Sequence, residues 1–171
     1  MKKFVLFIAM SAFLFTSCGK EKAFDENLQK SFAETGKVVL FSGTMCDQIS
    51  RTWRNAIYEN KDHKGNYCYD FNDALKTLFD DYREKGLIDS IEVYQNKMKE
   101  SASLLNNPPK SRRDCYNDFI EIVSEASSLA RMATDPSGSL QSYNNQVNET
   151  AESFAKKLDL FRIKYGEFLK K

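Results

Sequence analysis

This 171-residue chain has one histidine, His63, and four cysteines, Cys18, Cys46, Cys68 and Cys115, residue types that commonly serve as bases, nucleophiles or metal ligands. One histidine excludes zinc sites that need two, Glu-x-x-His di-iron bundles and haem attachment through Cys-x-x-Cys-His. No Cys-x-x-Cys pair, glycine-rich phosphate loop or Gly-x-Ser-x-Gly turn occurs. The sequence therefore predicts no catalytic, cofactor-binding or metal-ligating residue, and a protein that is not an enzyme.

Neighbouring carboxylates can form an acid–base pair, and Asp80 and Asp81 are adjacent in the sequence. Adjacent residues on a helix point about 100° apart, so these two carboxylates do not face each other. We predict that both lie on a solvated helix face. An enzyme would need a site assembled from residues scattered along the chain.

The first residues have the pattern of an export signal. Lys2 and Lys3 precede an apolar stretch over residues 4–15, and Thr16, Ser17 and Cys18 follow it. The stretch matches the apolar region of a secretory signal and is shorter than the roughly 20 residues that cross a bilayer. The sequence predicts that residues 1–17 are a signal peptide that is removed.

The residues before Cys18, Leu14-Phe15-Thr16-Ser17, resemble the lipobox of bacterial lipoproteins, with Phe15 where leucine is usual. The resemblance implies cleavage ahead of Cys18, a lipid joined to its sulfur by a thioether and carrying acyl chains such as palmitate, and attachment to a membrane of the bacterial cell envelope, facing the periplasm or the cell surface. Two or three acyl chains anchor stably, since each buried methylene contributes about 0.8 kcal/mol. The alternative is an ordinary signal peptide followed by an unmodified cysteine.

The rest of the chain has the size of one domain. Residues 1–17 carry two lysines and no acid, so 154 residues remain, with 23 of the 25 basic and all 24 acidic side chains, a net charge of about −1. That balance predicts no binding to nucleic acid or to anionic lipid headgroups. Seven glycines and three prolines are few for a turn-rich β-protein.

Apolar residues recur every three or four positions through most of the body, which is typical of amphipathic helices. The sequence predicts an all-α antiparallel bundle of about four to five helices in a single domain over residues 26–171. The lipidated Cys18 and a flexible tether, together residues 18–25, precede it.

The first helix is predicted to end near Glu59, but its start is ambiguous. Gly36 and Gly43 interrupt the pattern, so the helix begins either near Lys37 or at Thr44, whose hydroxyl could cap it. The two predicted starts are about two helical turns apart.

The second part of the body is predicted to contain a polar loop over residues 60–66 and then two helical segments. Asp70 or Asn72 can cap the first segment. Its apolar series is half a turn out of phase with the next one, which begins at Leu87. We predict a break or kink near residues 86–88, with Gly86 as a left-handed cap of the first segment and a fresh capping box that begins at Asp89.

The last two helices are bounded by proline-containing segments. Pro108 and Pro109 end the preceding helix, and a helix over residues 111–133 follows. A turn over residues 135–138 then leads to a last helix, capped by Ser139 and extending to about Leu169. Because the connection is short, these two helices are predicted to be antiparallel neighbours.

Three cysteines remain after Cys18, an odd number for an oxidising compartment. Cys46 lies about 21 Å along the helix from its predicted end, and Cys68 lies in the loop beyond that end. A disulfide needs Cα atoms within about 7 Å. We predict three free thiols, with Cys46 and Cys115 buried.

Trp53 is predicted to lie in the core. At an end of the bundle it could instead contribute to a surface that binds a partner.

The chain resembles small bacterial lipoproteins in its lipobox and in the charged helical body that follows, with loops at residues 107–109 and 135–140. This resemblance implies a location and a fold, but no functional residue beyond Cys18. The sequence favours a non-enzymatic module that binds a protein or envelope component. One alternative is an immunity or inhibitor lipoprotein that neutralises a toxin or hydrolase, which requires an acidic or aromatic surface patch. Another is a carrier of a small ligand, which requires a cavity between helices.

Overall fold

The computed structural model describes the backbone of residues 2–170 and the side chains of residues 19–170. The predicted signal peptide and the side chain of Cys18 lie outside the described side chains. Within residues 2–170 the chain forms no β-strand, only an isolated antiparallel bridge between Lys61 and Tyr67. The α-helices are α1 (Lys2–Glu59), α2 (Phe71–Glu84), α3 (Leu87–Ser103), α4 (Arg113–Thr134) and α5 (Leu140–Tyr165), and 3₁₀ turns span Lys110–Arg112 and Gly166–Leu169. The predicted all-α bundle is confirmed.

Helix α1 is the central element, and both predicted starts for it are wrong. Gly36 and Gly43 lie inside the helix, and Thr44 donates its hydroxyl to the carbonyl of Leu40 instead of capping a first turn. A glycine costs a helix interior roughly 0.5–1 kcal/mol, which tertiary packing readily outweighs. Buried residues on one face of α1 recur every three or four positions and include Phe24, Leu28, Val38, Met45, Ile49, Trp53 and Ala56.

The segment predicted to be a flexible tether belongs to this helix in the structure. Phe24 is 5 % exposed and packs in the core, and the guanidinium of Arg112 donates two hydrogen bonds to the carboxylate of Asp25, at 2.9 and 3.0 Å. The same guanidinium lies over the ring of Phe168. Contacts with residues far along the chain therefore order residues 24 and 25.

Helices α2 and α3 form one arm that is antiparallel to α1. Three contacts show the direction. Trp53 stacks on Phe71, the hydroxyl of Tyr82 donates to the side-chain oxygen of Gln48, and Phe41 meets Tyr94 edge to face. Positions along α1 thus decrease as positions along α2 and α3 increase. The break falls at Gly86 as predicted, with left-handed backbone angles of φ 66° and ψ 22°. This break turns the second apolar face back toward α1.

Two helix caps form as predicted and one does not. The side chain of Asp70 accepts from the backbone N–H of Asp73, and Ser139 forms a capping box with Ser142. The predicted capping box at Asp89 is wrong, because α3 already begins at Leu87. Gly86 itself supplies the first carbonyl of the helix, which leaves Asp89 within the first turn.

Helix α4 runs parallel to α1, and α5 runs antiparallel to both. Rings from three helices meet in the core: Phe32, Phe119 and Phe161, with centroids 5.7–6.4 Å apart. Trp53 is 3 % exposed and packs against Phe71 and Tyr143, which confirms its predicted core position. The bundle thus has four arms, which are α1, α2 together with α3, α4 and α5, and successive arms alternate in direction. Of the helices that the structure describes, none has an apolar stretch long enough to cross a membrane.

Candidate functional site

The connection between α1 and α2, residues 60–70, is fixed by a buried carboxylate. Asp62 is 6 % exposed, and its Oδ1 accepts the backbone N–H groups of Lys64 and Asn66, both at 2.8 Å. Burial alone raises the pKa of Asp62, but the hydrogen bonds from Asn66 and Lys64 lower it, and the net shift is downward. Asp62 is therefore an ionised carboxylate whose hydrogen bonds hold the loop in one conformation.

Backbone contacts close the same loop on the end of α1. The N–H of Cys68 donates to the carbonyl of Asn60 at 3.0 Å, and Lys61 bridges Tyr67. Gly65 has φ 83°, a region where a side chain is strained. The loop is thus ordered over its length, not merely polar and exposed as the sequence suggests.

This ordered loop exposes two neighbouring aromatic rings, Tyr67 and Tyr69, here called the tyrosine pair. The rings are 72 % and 85 % exposed, and they meet edge to face with centroids 5.6 Å apart. Ile57 and Tyr58, in the last turn of α1, are also exposed. Four of the nine large exposed hydrophobic residues in the described part of the chain therefore lie between positions 57 and 69. Exposed hydrophobic side chains are therefore concentrated in this segment of the described chain.

The histidine singled out in the sequence lies within this loop but is not on its surface. The side chain of His63 is 8 % exposed, and its Nε2 lies 3.7 Å from Oδ2 of Asp81 on α2. Asp81 is about 15 Å along α2 from its first residue, Phe71, so the loop folds back along the bundle.

The predicted solvated face at Asp80 and Asp81 is confirmed for the first residue and wrong for the second. The side chain of Asp80 is 51 % exposed, whereas that of Asp81 is 7 % exposed. Lys85 and Lys64 contact Asp81 at 2.7 and 3.0 Å. The folded-back loop covers Asp81, which the sequence of α2 alone does not reveal.

No known protein family, curated protein or solved structure matches this chain. Functional conclusions therefore depend on the geometry of its own residues. Among residues 19–170, no three or more His, Cys, Asp or Glu side chains are grouped so that they could hold a metal ion.

The three predicted thiols are confirmed, and all of them are buried. Cys46, Cys68 and Cys115 are free and at most 2 % exposed. Burial raises the pKa of each thiol, that of Cys115 to about 12. A thiol that stays protonated is a poor nucleophile and metal ligand, so these cysteines serve packing.

Acid should weaken the contact between Asp81 and the two lysines. Hydrogen bonds from Lys85 and then Lys64 lower the pKa of Asp81 to about 2, against about 3.9 in an unfolded chain. A lowered pKa stabilises the fold above the unfolded value, and this contribution is lost as the pH falls through about 4 to about 2. Asp81→Asn should therefore flatten the dependence of unfolding free energy on pH in that window, as measured by denaturant titration.

The control is Asn72→Ala, which changes an exposed residue on the same helix. It should keep the wild-type slope of unfolding free energy against pH. An Asp81→Asn protein with the full wild-type slope between pH 4 and 2 would contradict the assignment of this carboxylate.

The tyrosine pair is the feature that the sequence reasoning missed. Tyr67 and Tyr69 alternate with Cys68 and Asp70 just outside the apolar periodicity of the helices. Aromatic residues that no helix face accounts for, beside a polar loop, are the signal that could have identified them. The predicted site residue Cys18 lies just before Gly19, the first residue of α1 with a described side chain, whereas the tyrosine pair follows the end of α1 at Glu59.

Proposed function

We propose that this chain is a lipid-anchored protein of the bacterial cell envelope that binds a protein partner through the tyrosine pair and catalyses no reaction. The observation that carries the proposal is the exposure of Tyr67 and Tyr69 on a loop that the buried Asp62 fixes. The proposed anchor is the lipid on Cys18, on the basis of the lipobox resemblance.

The length of α1 separates the anchor from the proposed binding surface. From Gly19 to Glu59 the helix extends for about 60 Å at 1.5 Å per residue. The loop that carries Tyr67 and Tyr69 closes on the end of this helix at Asn60. A lipid at Cys18 would thus be attached about 60 Å along the helix from the loop that carries the tyrosine pair.

Tyrosine is suited to protein recognition because it offers a large apolar ring and a hydroxyl while having few rotatable bonds. Tyr67 and Tyr69 contact each other, and the N–H of Tyr69 donates to the side chain of Asp73 at 3.3 Å. Residues held in place before binding lose less conformational entropy when the complex forms. Such residues frequently dominate binding energy at interfaces.

The same surface supports the second candidate, an immunity or inhibitor lipoprotein, because that function requires an exposed acidic or aromatic patch. The two candidates differ in the partner. An inhibitor would bind a secreted toxin or hydrolase, whereas an envelope module would bind a resident envelope component.

Replacing both rings tests the proposal. The variant Tyr67→Ala/Tyr69→Ala should lower the recovery of a cross-linked partner from intact cells by at least about tenfold, since a hot-spot residue contributes 2 kcal/mol or more. Recovery is measured by quantitative mass spectrometry after cross-linking in the native bacterium. The identity of the recovered partner distinguishes the two candidates.

The matched control is Leu40→Ala/Ile163→Ala, which removes two side chains that are 76 % and 80 % exposed elsewhere on the bundle. It should recover the partner as the wild type does. Equal recovery by the tyrosine variant, or failure of the wild type to recover any specific partner under several growth conditions, would contradict the proposal.

A further inference from the structure

An apolar groove lies on the surface of the bundle between α1, α4 and α5. Its volume is about 230 Å³, which exceeds that of a cavity of about 150 Å³ that accepts benzene but is smaller than a site for a drug-sized ligand. The groove extends along α5 from Phe154 to Arg162, about 12 Å at 1.5 Å per residue. It is therefore long and narrow, which suits one extended alkyl chain.

The walls of the groove are apolar and come from three helices that the core already fixes. Ile122 of α4 is 1 % exposed and lies at the base of the groove, and the ring of Phe32 stacks on Phe119 and Phe161. Apolar side chains that line the groove include Phe32, Val39, Ile122, Phe154 and Leu158. An alkyl chain could enter without a rearrangement of the core.

Gly36 and Thr35 of α1 leave the groove open. Apart from its sequence neighbours and the backbone of its own helix, a Cβ at Gly36 would meet no atom within 4 Å. A glycine weakens a helix interior, and no close packing requires one at this position. The hydroxyl of Thr35 donates to the carbonyl of Ser31 at 2.8 Å, so its hydrogen is used within α1. The space beside these two residues is thus neither filled by a side chain nor strongly polar.

A single cation lies at one end of the groove. Arg162 is the only charged residue among those that line it, and its guanidinium lies over the ring of Phe32, 5.7 Å from the centroid. None of the ion pairs among residues 19–170 includes Arg162. A guanidinium can bind a carboxylate through two parallel hydrogen bonds. The charge at this end therefore complements a carboxylate at the head of an alkyl chain.

We propose that this groove binds a free medium-chain fatty acid, with its carboxylate at Arg162 and its alkyl chain extending toward Phe154. The length of the groove is close to that of an extended decanoate. A neutral alcohol of the same length would lose the charged pairing with Arg162, and an alkylamine would be repelled. This site goes beyond the partner-binding function proposed above and does not depend on it, because the tyrosine pair does not line the groove.

A photoreactive fatty acid tests the site directly. The full chain would be purified in lipid nanodiscs, so that no detergent tail competes for the groove, and irradiated with decanoate that carries a diazirine at its methyl end. Because α5 is antiparallel to α1, Val39 lies at the same end of the groove as Phe154, and mass spectrometry should place the adduct at this end. Unlabelled decanoate should suppress the adduct, whereas decanol and decylamine should need about tenfold higher concentrations, the effect of losing a charged hydrogen bond.

Two variants, each with a matched control, place the binding in the groove. Gly36→Leu fills the open space and should lower the labelling by at least about tenfold, whereas Gly43→Leu makes the same change at another open helical glycine that does not line the groove. Arg162→Gln should weaken the apparent affinity by about tenfold. Arg54→Gln removes an exposed arginine of α1 outside the groove. Both controls should be labelled as the wild type is, and circular dichroism would check that every variant is helical.

Four results would overturn the proposal: no labelling that decanoate suppresses, an adduct outside the groove, equal suppression by decanol, or wild-type labelling of both groove variants. Loss of the tyrosine pair, which tests the partner-binding function, should leave the labelling as it is in the wild type. The two proposals can therefore fail separately.

Discussion

Replacing Phe119 by alanine should lower the free energy of unfolding by about 3–5 kcal/mol, the usual effect of removing a fully buried aromatic ring. Phe119 is 0 % exposed, and its ring contacts Phe32 on α1 and Phe161 on α5. The substitution therefore removes contacts that join three of the four arms. Chemical denaturation followed by circular dichroism measures the change.

The control substitution is Ile163→Ala, which changes a side chain that is 80 % exposed on α5 and should alter stability by no more than about 0.5 kcal/mol. If Phe119→Ala cost no more than this control, the packing of α1, α4 and α5 around the three rings would be wrong.

Replacing Cys18 by alanine should abolish the incorporation of labelled palmitate completely, because the sulfur of this residue is the proposed site of lipid attachment. The three cysteines of the body are buried with raised pKa values and should not accept the lipid in its place. Labelling of growing cells, followed by purification of the protein, measures the effect.

Cys115→Ala serves as the control for this experiment, since it removes one thiol of the body and should leave the label intact. Label that persists in the Cys18→Ala protein, or that is missing from the wild type, would contradict lipidation at Cys18. In that case the alternative of an ordinary signal peptide with an unmodified cysteine would stand.

The phase of apolar residues predicts a break that the structure contains. The series before and after Gly86 are half a turn out of register, and only a change of backbone direction can bring both against α1. Gly86 provides this change with a positive φ of 66°. Such local periodicity is readable from sequence because it depends on residues a few positions apart.

The start of α1 could not be predicted in this way, because its determinants are distant in sequence. Asp25 is held by Arg112, 87 residues away, and Phe24 is buried by the assembled core. Local signals favoured a tether there and a late helix start, near Lys37 or at Thr44. Packing overrides such weak local preferences.

The candidate site was harder to predict still. The composition of residues 60–66 predicted where the loop lies in the sequence but not the path that it takes over the bundle. The loop brings Lys64 and His63 to Asp81, and hydrogen bonds to the buried carboxylate of Asp62 hold this path. Tyr67 directly follows Asn66, whose backbone N–H donates to the Asp62 carboxylate. Burial and pairing in a loop are set by tertiary contacts, which hydrophobic periodicity does not report.

Site-specific photo-cross-linking from position 67 tests the central claim most directly. A photoreactive amino acid in place of Tyr67, in the full chain in its native bacterium, should capture one specific protein, and the same amino acid in place of the exposed Ile163 should not capture it. Capture of a specific partner from position 67 alone is the predicted result. No specific adduct from position 67, or the same adduct from both positions, would contradict a partner-binding role for the tyrosine pair.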